Sequence, residues 1–189
     1  MQRSLILTPE FSGAVEINAF RTAYDPLAAK IPPHITLVFP FESPLSLEEL
    51  TAHAREVVSS IECFRLSLGE PQMRGDFIWL PVDSGRSQIV ELHELLYRGP
   101  LADYLDSSRP FEPHLTIGRA LVSDPEQCLK AALALRGPFE AVANRLVIET
   151  IMTDERSNVE SVIDFRNPPS LSVFGAVPGT LATAELTSY

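Results

Sequence analysis

A five-residue pattern, Pro33-His34-Ile35-Thr36-Leu37, returns eighty positions later as Pro113-His114-Leu115-Thr116-Ile117. In both copies proline comes first, and His and Thr then alternate with aliphatic residues. That alternation is the period of a β-strand, whose successive side chains point to opposite faces. His34 and Thr36 therefore share one face, and Ile35 and Leu37 take the other; His114 and Thr116 repeat this over Leu115 and Ile117. One face is made for a core and the other offers an imidazole and a hydroxyl. A lone strand histidine is most simply a packed core residue. Two copies of the pattern in a chain with only four histidines point to chemistry instead.

Imidazole titrates near neutral pH, so a pair can hold one neutral and one protonated ring together. The neutral ring accepts a proton from a nucleophile, and the charged ring gives one to a leaving oxygen. In-line displacement at phosphorus needs both, because the attacking and leaving oxygens lie on opposite sides. Each ring nitrogen must come within about 2.6–3.2 Å of its oxygen. Threonine hydroxyls one pleat further on can bind the non-bridging oxygens. This scheme uses no metal and no cofactor, and neither motif carries a second His or a carboxylate at ligand spacing on its face.

The elements that must position these strands follow from local signals. Residues 3–8 read as a strand, and Thr8-Pro9-Glu10 as the capped start of a helix running to about Tyr24 with Ala14, Ile17 and Phe20 inward. Pro32 and Pro33 stand at the entry of the first motif strand, since proline cannot donate to a ladder. Ser46-Leu47-Glu48-Glu49 is a capping box, followed at helical spacing by Leu50, Ala54, Val57 and Ile61. A strand at 62–71 completes the first half. The second half has the same order: a strand from Gly75 to Val82, a helix from Ser84 to Arg98, and a connection over 100–112 into the second motif strand. A helix opens at Asp124-Pro125, with Leu129, Ala132 and Leu133 as its apolar stripe and Gly137-Pro138 as its end. Strands at 139–150 and 158–166 follow.

The expected fold is α+β: two pseudo-symmetric lobes, each an antiparallel sheet with helices outside, around a cleft holding both motifs. Residues 1–167 form one bilobal domain, with repeat halves of about 1–73 and 74–167. Residues 168–189, rich in Pro, Ser, Thr, Gly and Ala, read as a C-terminal tail that is disordered in part.

Composition narrows the function. The chain has 189 residues, a net charge of −10 and a pI near 4.8. That disfavours extended nucleic-acid binding, which draws on clustered Lys and Arg, but leaves small or terminal phosphates open. No stretch approaches the roughly 18 apolar residues that span a membrane, and the apolar run at the N-terminus is too short for a signal peptide. Cys63 and Cys128 have no metal-ligand spacing and read as reduced, packed thiols. A cytoplasmic monomer is expected.

Pro33-His34-Ile35-Thr36-Leu37-Val38-Phe39 and Phe111-Glu112-Pro113-His114-Leu115-Thr116-Ile117-Gly118-Arg119 resemble the paired motifs of the two-histidine (2H) phosphoesterases. That superfamily includes the so-called 2′-5′ RNA ligases and the cyclic nucleotide phosphodiesterases. The resemblance spans about residues 3–166. It implies two α+β lobes around a cleft and metal-independent opening of 2′,3′-cyclic or related cyclic phosphodiesters, or the reverse 2′-5′ joining of RNA ends. By resemblance His34 and His114 take acid and base roles, unassigned between them, and Thr36 and Thr116 hold the phosphate. Arg119 matches an arginine that often follows the second motif. Strict alternation turns it away from His114 and Thr116, and a bulge near Gly118 would bring it back.

Other residues read more plainly. His53 and His93 lie on helices among charged neighbours and are assigned to the surface. Trp79, Phe77 and Phe41 could stack on a base, although Trp79 on its alternating strand is assigned to the core. Phe39 and Phe111, beside the motifs, are the stacking candidates. Against the phosphoesterase stand two rivals: a nucleotide- or RNA-end-binding module without turnover, and a structural duplication with core histidines. Within the enzyme reading, scarce positive charge argues against ligation of two RNA ends.

Overall fold

The computed structural model describes residues 2–120, 124–137 and 139–166, so the tail read from Pro168 onward, and Pro138 of the Gly137-Pro138 stop, lie outside them. The elements in order are β1 (Gln2–Leu7), β2 (Glu10–Phe11), α1 (Ala14–Tyr24), β3 (Ile35–Phe41), α2 (Leu47–Val58), β4 (Phe64–Leu68), β5 (Gln72–Arg74), β6 (Phe77–Pro81), α3 (Arg86–Leu96), a 3₁₀ turn (Gly99–Tyr104), β7 (His114–Arg119), α4 (Pro125–Ala132), β8 (Phe139–Ala143), β9 (Arg145–Ile151) and β10 (Ser157–Asp164).

The fold is α+β with antiparallel sheets. Seven strands join in the order β10-β9-β1-β3-β7-β6-β5, and three more in the order β2-β8-β4. The motif strands β3 and β7 are neighbours at the middle of the larger sheet, paired at Ile35–Leu115. Sheet partners are drawn from both sequence halves: β1 pairs with β9 and β4 with β8. A boundary near residue 73 therefore does not separate the sheets.

The alternation read in the motifs is the alternation observed. Ile35, Leu37, Leu115 and Ile117 are fully buried, with Leu5 and Leu7 of β1, in the main core. Helices α2 and α3 add Leu50, Ala54, Ile89, Leu92 and Leu96 to it. Each such Leu or Ile contributes about 1.5–3 kcal/mol of transfer free energy, which holds both motif strands by their backs.

Local signals set the helix ends. Ser46 accepts from the Glu49 amide at 3.2 Å, while the Glu49 carboxylate accepts from the Ser46 amide at 2.8 Å. Asp124 caps α4, with Pro125 in its first turn. Leu133, expected inward, lies beyond the end of α4 and is 53% exposed. Helix α1 begins at Ala14 rather than at Pro9, because Glu10 and Phe11 pair with Val142 and Ala141 of β8 before Gly13 turns the chain into the helix. The run 139–150 divides at Asn144 into strands of different sheets.

Gly85 precedes α3 at a φ of +77°, and an added Cβ would lie 2.8 Å from Leu66 Cβ and 2.9 Å from the Arg65 carbonyl oxygen. The left-handed conformation and the contact with backbone both penalise any other residue. Gly85→Ala is expected to cost about 1–3 kcal/mol and to lower Tm in thermal unfolding. An unchanged Tm would show that the turn relaxes.

Candidate active site

Proline shapes the entry to each motif strand. Pro33 and Pro113 fix the backbone just before the histidine, with φ near −65°, and the carbonyl two residues before each histidine meets its own ring. His34 Nδ1 donates to the Pro32 carbonyl at 2.9 Å, and His114 Nδ1 donates to the Glu112 carbonyl at 2.6 Å. A carbonyl can only accept, so both rings carry the Nδ1 proton and keep Nε2 for chemistry.

The pairing of Ile35 with Leu115 sets the two motif strands side by side. His34 and Thr36 flank Ile35 on one strand, and His114 and Thr116 flank Leu115 on the other, so the two motif faces adjoin at this pair. The four motif side chains are half-buried and line two adjoining cavities. One, of about 300 Å³, holds His34, Thr36, Thr116 and Arg119 above Ser4, Arg21, Asp25 and Glu149. The other, of about 490 Å³, holds His114 and Thr116 with Phe39, Trp79 and Arg109. Thr116 and Phe77 belong to both, so the cavities adjoin along β7 and β6.

Arg119 reaches the first cavity through a bulge. Strands β6 and β7 pair Ile78 with Gly118 but Trp79 with Thr116, leaving Ile117 as one extra residue on β7. The extra residue resets the alternation, so Thr116 and Arg119 face the same cavity despite being three apart. The Arg119 guanidinium carbon stands 5.2 Å from the Phe77 ring centre. Gly118 sits at the reset, where a Cβ would come within 3.3 Å of Phe20 on α1.

The aromatic residues are redistributed relative to the sequence reading. Trp79 is not a core residue: it is half-buried and stacks on His114 with ring centres 3.5 Å apart at 13°. The segment Phe77-Ile78-Trp79-Leu80 is apolar on both faces, so its alternation alone could not orient it. Phe39 lines the second cavity, and the Arg109 guanidinium lies over its ring at 4.9 Å. Phe111 meets Phe39 edge-on at 6.4 Å, and one of its faces is covered by His93 at 3.7 Å. Phe41 is buried against Tyr104.

His93 is not on the surface either. It is 6% exposed, donates from Nδ1 to the Leu37 carbonyl at 2.7 Å, and so buttresses β3 from behind. A signal existed: Ile89, Leu92, His93 and Leu96 fall on one helical stripe. His53 is half-buried, with Nε2 bonded to the Leu96 carbonyl at 2.9 Å. Two further residues went unread. Arg109 sits in a loop with no periodicity, and Glu149 is a carboxylate inside the apolar run Leu146–Ile151, which in itself was a signal.

Burial lowers the pKa of His34, against the opposing pull of the Pro32 carbonyl and of Glu149. His114 is lowered by burial first and also by the nearness of His34. His93 is lowered by burial. All three folded-state values lie below the unfolded one, so their contribution to stability is present above about pH 6.5 and lost as pH falls, when the unfolded chain takes up protons the folded chain resists. Tm is expected to fall between about pH 7 and pH 5.5; a flat Tm across that window would contradict these shifts.

The Cys128 side chain is buried and that of Cys63 half-buried. Among the described residues no group of three or more His, Cys, Asp or Glu is arranged to hold a metal ion.

The sequence model of the 2′-5′ RNA ligase superfamily matches residues 9–154. The chain belongs to this superfamily of 2H phosphoesterases. A Bacillus pumilus relative named "Putative phosphoesterase" is 30% identical over 146 residues, which span 72% of this chain and 80% of that one. A Bacillus licheniformis relative of the same kind is 28% identical over 140 residues, covering 72% and 81%. Among solved structures a Thermus thermophilus protein superposes with a TM-score of 0.60 at 16% identity, covering 88% of this chain and 98% of that one. Escherichia coli LigT complexed with 3′-AMP gives 0.53 at 19% identity, covering 87% and 98%. At such identities these two structures establish the shared 2H fold. Phosphoesterase chemistry on phosphodiester bonds is the enzyme class of the superfamily.

Proposed function

We propose that this 2H protein opens 2′,3′-cyclic or closely related cyclic phosphodiesters of nucleotides or RNA ends, without a metal, by acid/base catalysis between His34 and His114. The observation that carries this reading is the matched pair of rings, each fixed through Nδ1 by the carbonyl two residues earlier. One ring takes a proton from water as its oxygen bonds to phosphorus; the other donates a proton to the ribose oxygen as that P–O bond breaks. Thr36, Thr116 and Arg119 hold the non-bridging oxygens, where charge develops. Phe39, braced by Phe111 and covered by Arg109, offers a base a stacking surface.

A terminal phosphate suits the charge distribution. Arg109 and Arg119 supply positive charge at the site, while the chain carries −10 overall. Extended nucleic acid and ligation of two RNA ends are correspondingly disfavoured. Among the described residues no helix is long and apolar enough to cross a membrane; a cytoplasmic monomer is part of the proposal.

The test is incubation with the four nucleoside 2′,3′-cyclic phosphates in a chelator. Ring opening to a single monophosphate isomer is expected. Tight binding of the same nucleotides without opening would favour the binding module, and loss of opening on chelation would overturn metal independence.

A further inference from the structure

The two motifs match in sequence, but their surroundings differ in charge. We propose that Glu149 is the positioning residue that makes His34, rather than His114, the proton donor.

Glu149 is 2% exposed and lies at the back of the His34 cavity. Strand register puts it there: Ser4 of β1 pairs with Glu149, and Ile6, two residues on, pairs with Thr36. Glu149, Ser4 and Thr36 therefore share the sheet face on which His34 stands. Ser4 Oγ donates to Glu149 Oε1 at 2.5 Å, and Ser157 Oγ donates to Oε2. Two hydroxyls fix this carboxylate without neutralising it.

The other charges around His34 do not cancel it. Arg21 and Asp25 on the α1 side are bonded to each other at 2.9 and 3.1 Å, so their fields largely offset. Lys30 and Glu155 pair at 3.1 Å at the outer edge of the site. Arg119, on β7, lines the same cavity, where the substrate phosphate would counter its charge. What is left on the inner side is one buried negative charge. A charge in a low-dielectric wall acts on a nearby imidazole far more strongly than one in water.

His114 has no equivalent. It stacks on Trp79, and the carboxylate beside it, Glu112, is 48% exposed and paired with Arg74 at 3.6 Å. A proton shared between the two rings therefore settles on His34, and its charge discourages a second on His114. Burial alone drives His34 toward the neutral form, and Glu149 pushes back. In the proposed reaction, His114 Nε2 then removes the proton from water while the new O–P bond forms, and His34 Nε2–H protonates the departing ribose oxygen. This direction rests on the function proposed above, but the protonation of His34 does not require turnover.

The experiment is a site-resolved NMR titration of the histidine rings in the full chain, comparing wild type with Glu149→Gln and Ser157→Ala. Glutamine keeps the shape and removes the charge, so the His34 pKa is expected to fall by about 1 unit, with His114 unchanged or raised. Ser157→Ala loosens the same packing but keeps the carboxylate, and His34 is expected to stay within a few tenths. An unmoved His34 in Glu149→Gln, a larger fall at His114, or equal falls in both variants would overturn the proposal. If Glu149→Gln fails to fold, Glu149→Asp, which retracts the carboxylate by one methylene, should lower His34 by a smaller amount; no change there is equally fatal. Absence of cyclic phosphodiesterase activity in the wild type would count against the proposed function and leave the titration to decide the role of Glu149.

Discussion

Replacing either His34 or His114 by alanine is expected to lower kcat/KM for a nucleoside 2′,3′-cyclic phosphate by about 10²–10⁴-fold, the range for a positioned general acid or base. The loss should fall mainly on kcat, because in the proposed site Thr36, Thr116 and Arg119, rather than the imidazoles, hold the phosphate. Removing both rings should cost little more than removing one, since proton removal and proton delivery serve a single displacement. Folding is not expected to confound the result. Both rings are half-buried, and the hydrogen bond recorded for each goes to a carbonyl of its own loop. Matching Tm values in the two variants would establish this. A single variant with near-normal kcat would show that its ring takes no part in the chemistry.

Arg119→Met should produce the second-largest loss, about 10²–10³-fold in kcat, comparable to losing a preorganised donor at a developing oxyanion. Among the described residues Arg119 forms no salt bridge, unlike Arg21 beneath it, so its charge is available to the phosphate. Methionine keeps an apolar stem over Phe77 and removes only the guanidinium. Arg119→Lys should fall between, because an ammonium restores charge without the planar fork. An unchanged kcat in Arg119→Met would mean that the bulge at Ile117 turns the arginine into the cavity without bringing it to the phosphate.

That bulge marks where the sequence was legible and where it was not. The motif strands could be read because proline and strict alternation specify both their start and their faces, and their aliphatic residues are indeed at 0% exposure. The capping box at Ser46 was legible because its two hydrogen bonds are local. Arg119 could be placed only conditionally, since one extra residue reverses every face beyond it. Strand β2, two residues long, exists through its partner β8 and leaves no periodic trace. Trp79 and His93 were misassigned for opposite reasons: one lies in a run apolar on both faces, and the other is a polar ring that a helix carries into the core behind β3. Glu149 became meaningful only when pairing with β1 set it on the His34 face.

The most direct measurement is the pH dependence of kcat/KM for wild type and for the two single alanine variants, with residual rates followed to completion. Two-histidine catalysis predicts a bell in the wild type, its acid limb from the ring that must be neutral and its alkaline limb from the ring that must be protonated. His114→Ala should lose the acid limb and His34→Ala the alkaline one. A bell that survives intact in both variants would assign its limbs to other groups and contradict catalysis by this pair.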